Sequence, residues 1–192
     1  MKEQEAILAE YNTLRAELIQ YQQMNLQIPI FTLPAAVAFM AYGFQQKYSV
    51  AFLAAIAILL IALWYNRYLL ASVCSIGAYI YAIIEPKIEG LQWETILASK
   101  RAKEKLGTGK PLILVIVILY IVFSLICLFL AWYFIQGISA LKLAIYSGLT
   151  IIFLVFLIIG SFKVLQTVSA RYIEDAAKKW KQEEDKRKVP MK

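Results

Sequence analysis

A row of small and aromatic polar side chains interrupts one long apolar segment of this sequence. Tyr65, Tyr68, Ser72, Ser75 and Tyr79 follow one another at three- and four-residue steps, with Asn66 beside the first. On a helix that spacing places them on one face. Two chemistries suit such a face: close helix–helix contact, in which serines let backbones approach, or the wall of a water-filled path. Tyr65, Asn66, Ser72, Ser75 and Tyr79 are the candidate path-lining residues, and helix packing is the competing reading. A second group is cationic. Lys100, Arg101, Lys103 and Lys105 precede the third apolar block, and Lys178, Lys179 and Lys181 surround Trp180 near the C-terminus. Next to a membrane such clusters set topology and attract anionic lipid. Brought together by several subunits they make a candidate site for a nucleotide or oligonucleotide, with Trp180 as a stacking surface.

Enzyme chemistry finds little material. There is no histidine, hence no imidazole base and no ordinary zinc site. Cys74 and Cys127 are isolated, which suits buried free thiols and not a metal cluster. No glycine-rich phosphate loop precedes a helix. The nearest acids to the apolar blocks are Glu85, Glu89 and Glu94, expected to pair with Lys87 or neighbouring lysines. The expectation is a protein without catalytic residues, cofactor or metal.

The elements that must carry these residues are apolar blocks. Leu26 to Phe44, Val50 to Tyr65, Pro111 to Ile135 and Leu143 to Phe162 contain no Asp, Glu, Lys or Arg. A bilayer core ~30 Å thick takes about 20 such residues as a helix. With 61% hydrophobic residues and a mean hydropathy of +0.64, the 192-residue chain is far more apolar than a soluble domain. Backbone groups in lipid need internal partners, so the blocks are expected to be helices. The predicted fold is an all-α integral membrane protein with four transmembrane helices in two hairpins (26–65 and 111–162). Three further segments complete it: a cytoplasmic N-terminal helix (1–25), a cytoplasmic extension of the second helix with an amphipathic helix (66–110), and a basic tail helix (163–192).

Ile7, Tyr11, Leu14, Leu18, Tyr21, Asn25 and Ile28 recur at alternating four- and three-residue steps, a heptad seam on one helix. Ile7 to Asn25 form the candidate oligomer seam; the partner is another subunit or another helix of the same chain. From Tyr48 to Ile84 the sequence holds one charge, Arg67. A helix of that length is ~55 Å long and outruns the hydrocarbon. Its far half, about Tyr68 to Ile84, is too apolar for water and is expected to pack on the N-terminal seam as a stalk, ending at Pro86 and Gly90. Leu91 to Leu106 reads as an amphipathic helix with Trp93, Ile96, Leu97 and Leu106 on its apolar side. In the tail, Leu165, Val168, Tyr172, Ala176 and Trp180 fall near one face, and Glu174–Lys178 and Glu184–Lys188 are spaced for helical ion pairs.

The short turns after the first and third blocks carry Lys47 and Lys142, whereas the central connection and the tail are rich in Lys and Arg. The positive-inside bias places that connection and both termini in the cytoplasm. The first residues lack the apolar core and cleavage site of a signal peptide.

The run Ser75-Ile76-Gly77-Ala78-Tyr79-Ile80, then Glu85-Pro86, then Gly90-Leu91-Gln92-Trp93-Glu94, with Tyr11, Leu14, Arg15 and Glu17 upstream, resembles a group of small bacterial membrane proteins over about the first 100 residues. The layout is also similar to SLATT-type effectors and to the membrane component of Hailong-type anti-phage systems. That resemblance implies a homo-oligomeric channel or pore-forming effector of the bacterial inner membrane, controlled by a nucleotide or oligonucleotide. The alternative is a non-conducting scaffold that binds a cytoplasmic protein partner.

Overall fold

The computed structural model describes residues 2–88, 90–97, 110–135, 140–167 and 170–188. The described residues are 95% helical and none lies in a strand, so the fold is all-α. The helices are α1 (Lys2–Gln46), α2 (Ser49–Tyr79), α3 (Lys110–Tyr133), α4 (Ala140–Thr167) and α5 (Ala170–Lys188). Four helical stretches are long and apolar enough to cross a membrane: Gln4–Gln46, Ser49–Lys87, Ile113–Tyr133 and Leu143–Thr167. Lys100, Arg101, Lys103 and Lys105 lie outside the described residues, as does the amphipathic segment beyond Leu97.

α1 continues through Pro29 and Pro34 without a break in helix. It ends at Lys47, whose φ of 52° is left-handed. The Tyr48 N–H reaches back to the Gly43 carbonyl at 3.0 Å, the six-to-one bond of a Schellman cap. α2 passes into a π-helical turn (Ile80–Ile84) and a 3-10 turn (Glu85–Lys87). Pro86 lacks an amide donor and closes the helix, and Gly90 follows at a φ of +84° that favours glycine.

The chain forms two compact units. Unit 1 takes Met1–Met24, Tyr68–Pro111 and Leu165–Lys192; unit 2 takes Asn25–Arg67 and Leu112–Val164. Charge divides sharply between them. All 13 Asp and Glu belong to unit 1 segments, and unit 2 carries only Lys47, Arg67, Lys142 and Lys163.

In unit 2, α2 is the central helix: 56% of its apolar window is buried, against 11% for α1 and α4. Phe52, Ala55, Ile56, Leu59 and Leu63 are fully covered and fall on one helical face. α4 approaches it at Gly160, where an added methyl would stand 3.0 Å from Leu63 Cδ2 and 3.2 Å from Trp64 Nε1. The same device serves α1, because a methyl on Gly43 would lie 2.9 Å from the Phe52 ring. Phe52 stacks on Phe134 at 5.6 Å, and Phe44 meets both edge-on. The outer surface is apolar too: Ile30, Phe31, Phe129 and Ile158 are each more than 60% exposed.

In unit 1, Ile7, Tyr11, Leu14, Leu18 and Tyr21 form the half-buried face of α1, with Leu18 covered and most intervening residues exposed. The later half of α2 is sheltered as well: Leu69, Leu70 and Ala78 are buried. Ala78, Ala82 and Ile83 pack with Ala177, flanked by Tyr79, Ile173, Ala176 and Trp180. α5 therefore covers the end of α2, a partner that the tail pattern alone does not name. Its covered face is centred on Ile173, Ala177 and Trp180, while Tyr172, and Leu165 near the end of α4, are exposed.

Candidate functional site

Two groups of polar side chains are buried, one in each unit. The first, in unit 1, is organised by two carboxylates. Glu85 sits where the π turn gives way to the 3-10 turn and is 6% exposed. Its carboxylate accepts the N–H of Glu94 at 2.5 Å, the N–H of Thr95 at 3.0 Å and the Thr95 hydroxyl at 2.6 Å. These amides open the helical turn at 93–97, so Glu85 caps that turn from a distant point in the chain. Glu94, 4% exposed, faces Arg15 of α1 at 3.7 Å. The Arg15 guanidinium lies 5.6 Å over the Trp93 ring. Tyr79 donates to Glu10 at 2.8 Å and meets Trp180 edge-to-face at 4.9 Å. Lys87 reaches Glu184 of α5 at 2.9 Å. The glycine–tyrosine … glutamate … tryptophan–glutamate run is thus a structural knot tying α1, α2, the 93–97 turn and α5.

This corrects the pairing expected for the acids. Glu85 is a cap and Glu94 faces an arginine; Lys87 is taken by the tail helix, and Glu89 lies outside the described residues. A carboxylate buried by an apolar turn does better with several directed donors than with one flexible ammonium. The 93–97 turn also inverts ordinary burial. Trp93 and Ile96 are about half exposed while Glu94 between them is covered.

The second group is in unit 2. Asn66 is 5% exposed and donates through Nδ2 to the Tyr120 hydroxyl at 3.4 Å. Tyr120 is fully covered and shares a hydrogen bond of 3.2 Å with Thr32 Oγ1, which donates to the Ile28 carbonyl at 2.7 Å. Asn66 Oδ1, Ser124 Oγ, Ser161 Oγ, Trp64 Nε1 and Arg67 Nε are buried and have no hydrogen-bond partner. Arg67 lies 5.5 Å over the Trp64 ring. No carboxylate pairs with it among the described residues. Unit 2 thus carries a row of uncharged polar groups with one guanidinium at its end, enclosed by an apolar surface.

The path candidates are divided between these environments. Asn66 turns into the polar row, whereas its neighbour Tyr65 is exposed. In unit 1, Ser72 donates to the Tyr68 carbonyl at 3.2 Å, Ser75 is half-buried and Tyr79 is engaged by Glu10 and Trp180. Among the candidate anion-binding residues, Lys178, Lys179 and Lys181 are exposed on α5. Trp180 is not the free stacking surface expected, because its ring is committed to Tyr79. Of the seam residues, Leu18 is buried, and Ile7, Tyr11, Leu14, Tyr21 and Asn25 are half-buried. Thr32, Tyr120 and Ser124 were not singled out by sequence, since isolated hydroxyls in an apolar run carry no spacing signal. No group of three or more metal-ligating side chains is found among the described residues.

Comparison with protein-family models, curated proteins and solved structures returned no match.

Proposed function

We propose that the protein is a multi-pass protein of the bacterial inner membrane that acts as a homo-oligomeric channel or pore-forming effector. In this reading unit 2 crosses the bilayer as two helical hairpins, and unit 1, with both termini, lies in the cytoplasm. The absence of any Asp or Glu from unit 2, together with its exposed Ile30, Phe31, Phe129 and Ile158, supports a lipid environment. Unit 1 holds all but four of the basic residues, which agrees with the positive-inside bias.

One observation carries conduction over mere anchoring: the polar row of Thr32, Asn66, Tyr120 and Ser124 within an otherwise apolar unit. Polar groups that hydrogen-bond across helices serve packing in any membrane bundle, but buried ones left without a partner are costly there, and Asn66 Oδ1 and Ser124 Oγ have none. Opening would wet this row. The exposed Lys178, Lys179 and Lys181, with the sequence cluster Lys100, Arg101, Lys103 and Lys105, suit a nucleotide or oligonucleotide as the cytoplasmic signal, in keeping with an anti-phage role. Planar-bilayer recording of the purified protein, with and without short oligonucleotides and nucleotides, tests this. Discrete currents abolished by Asn66→Leu are expected, and electrical silence under every condition rejects the reading.

The packing within unit 1 favours a second reading. A unit 1 whose α1 and α5 are already packed offers a ready-made platform for a cytoplasmic partner without any pore. Removing α5 would then abolish partner recovery while the membranes never leak.

A further inference from the structure

The charge map of unit 2 carries a statement about what crosses it. We propose that the path is anion-selective and that Arg67 is the residue that holds the permeant anion. The inference rests on the channel reading above and names its substrate class.

A cation shedding its hydration shell needs carboxylates or a ring of carbonyls in their place. Unit 2 has no carboxylate: its fixed charges are Lys47, Arg67, Lys142 and Lys163, all positive. Its backbone is continuous helix through α1, α2, α3 and α4, and the carbonyls inside those helices are used in the helices. What remains to face a permeant ion is hydroxyl, amide, indole N–H and guanidinium. Hydroxyl and amide groups serve either sign, whereas indole and guanidinium only donate.

Arg67 concentrates this bias. It ends unit 2's share of α2, one residue beyond Asn66 of the polar row. It has no carboxylate partner among the described residues, and its Nε is buried and unpaired beside Trp64. The ring fixes the guanidinium from one side, and the remaining N–H groups form a fork suited to an anion. In a low-dielectric wall such a charge attracts an anion and repels a cation. Copies in an assembly would add to that field. Lys47, on the turn after α1, and Lys142, in the first turn of α4, carry the same sign.

The test is the reversal potential of single channels in a tenfold KCl gradient. We expect reversal near the chloride equilibrium potential, with chloride about tenfold or more favoured over potassium, and Arg67→Glu should move it toward the potassium potential. Reversal at the potassium potential in the unaltered protein overturns the proposal. Total absence of current instead rejects the channel reading, and a second measurement then decides the anion site alone. In a variant retaining Trp64 as the single tryptophan (Trp93→Phe, Trp132→Phe, Trp180→Phe), iodide should quench Trp64 several-fold more than caesium does, each scaled to its quenching of free N-acetyltryptophanamide. Arg67→Gln should remove that preference. Equal quenching by the two ions before the arginine is replaced overturns the site whatever the electrical result.

Discussion

Glu85 and Glu94, both buried, are joined by a hydrogen bond from the backbone of one to the side chain of the other: the Glu94 N–H meets Glu85 Oε1 at 2.5 Å. The two carboxylates have different partners: Glu85 caps the 93–97 turn and Glu94 faces Arg15. Replacing Glu85 by Ala strands two amides and the Thr95 hydroxyl, which costs about 2–3 kcal/mol. Glu85→Gln keeps an acceptor and should lose about half as much. Thermal unfolding in detergent reads the total, and hydrogen exchange should locate the loss at residues 93–97. An effect confined to Lys87 and its surroundings would contradict the cap.

Gly160 and Gly148 both lie in α4 but should respond oppositely to bulk. Gly160→Leu drives a side chain into Leu63 and Trp64, at a cost of about 1–3 kcal/mol. At Gly148 an added Cβ meets nothing within 4 Å, so Gly148→Leu should stay within about 0.5 kcal/mol. Unfolding midpoints of the two variants in one detergent settle the contrast.

Asn66 separates stability from conduction. Its hydrogen bond to Tyr120 is long, 3.4 Å, and its Oδ1 has no partner among the described residues. Asn66→Leu removes an unsatisfied buried acceptor, so stability should hold or rise by up to about 1 kcal/mol. Current should nevertheless fall at least about tenfold if the polar row must hydrate for ions to pass. A stable variant with unchanged current would detach the row from any path.

Lys47 pays a conformational cost at its φ of 52°. Lys47→Gly relieves about 1 kcal/mol of steric strain, offset in part by the freedom glycine gains in the unfolded chain. A net gain of about 0.5 kcal/mol is expected, visible as a higher unfolding midpoint. Lys47→Val should lose stability, since a branched side chain tolerates that backbone poorly.

The thiols should report the same architecture. Cys127 is fully covered, and Cys74 is half-buried with Sγ donating to the Thr167 carbonyl at 3.6 Å. Maleimide added to the folded protein should leave Cys127 unmodified and label Cys74 more slowly than a cysteine placed at exposed Gln20. Rapid labelling of Cys74 would mean that α2 beyond Arg67 stands bare.

The four long helices were legible because uncharged apolar runs leave the backbone one economical conformation. The α1 seam was legible for a related reason: Ile7, Tyr11, Leu14, Leu18 and Tyr21 repeat with the helix, and periodicity identifies a covered face without naming its cover. The cover was the harder part. Ala78 and Ala82 meet Ala177 through small residues that announce no preference for one another. Glu85 escaped because its donors are backbone amides, which have no letter in a sequence. Asn66 and Tyr65, adjacent in the chain, point into different surroundings, so a polar stripe drawn by eye merges two environments into one.

The π turn at Ile80–Ile84 holds one residue more than an α-helical turn would. A π turn absorbs its extra residue locally, so tightening it to α-helical winding with every residue kept would rotate everything downstream around the axis. Glu85 would then point away from the amides it caps, and Pro86 and Lys87 would turn with it. The bulge works as a phase shifter, and its length is therefore fixed by residues that touch none of its own atoms.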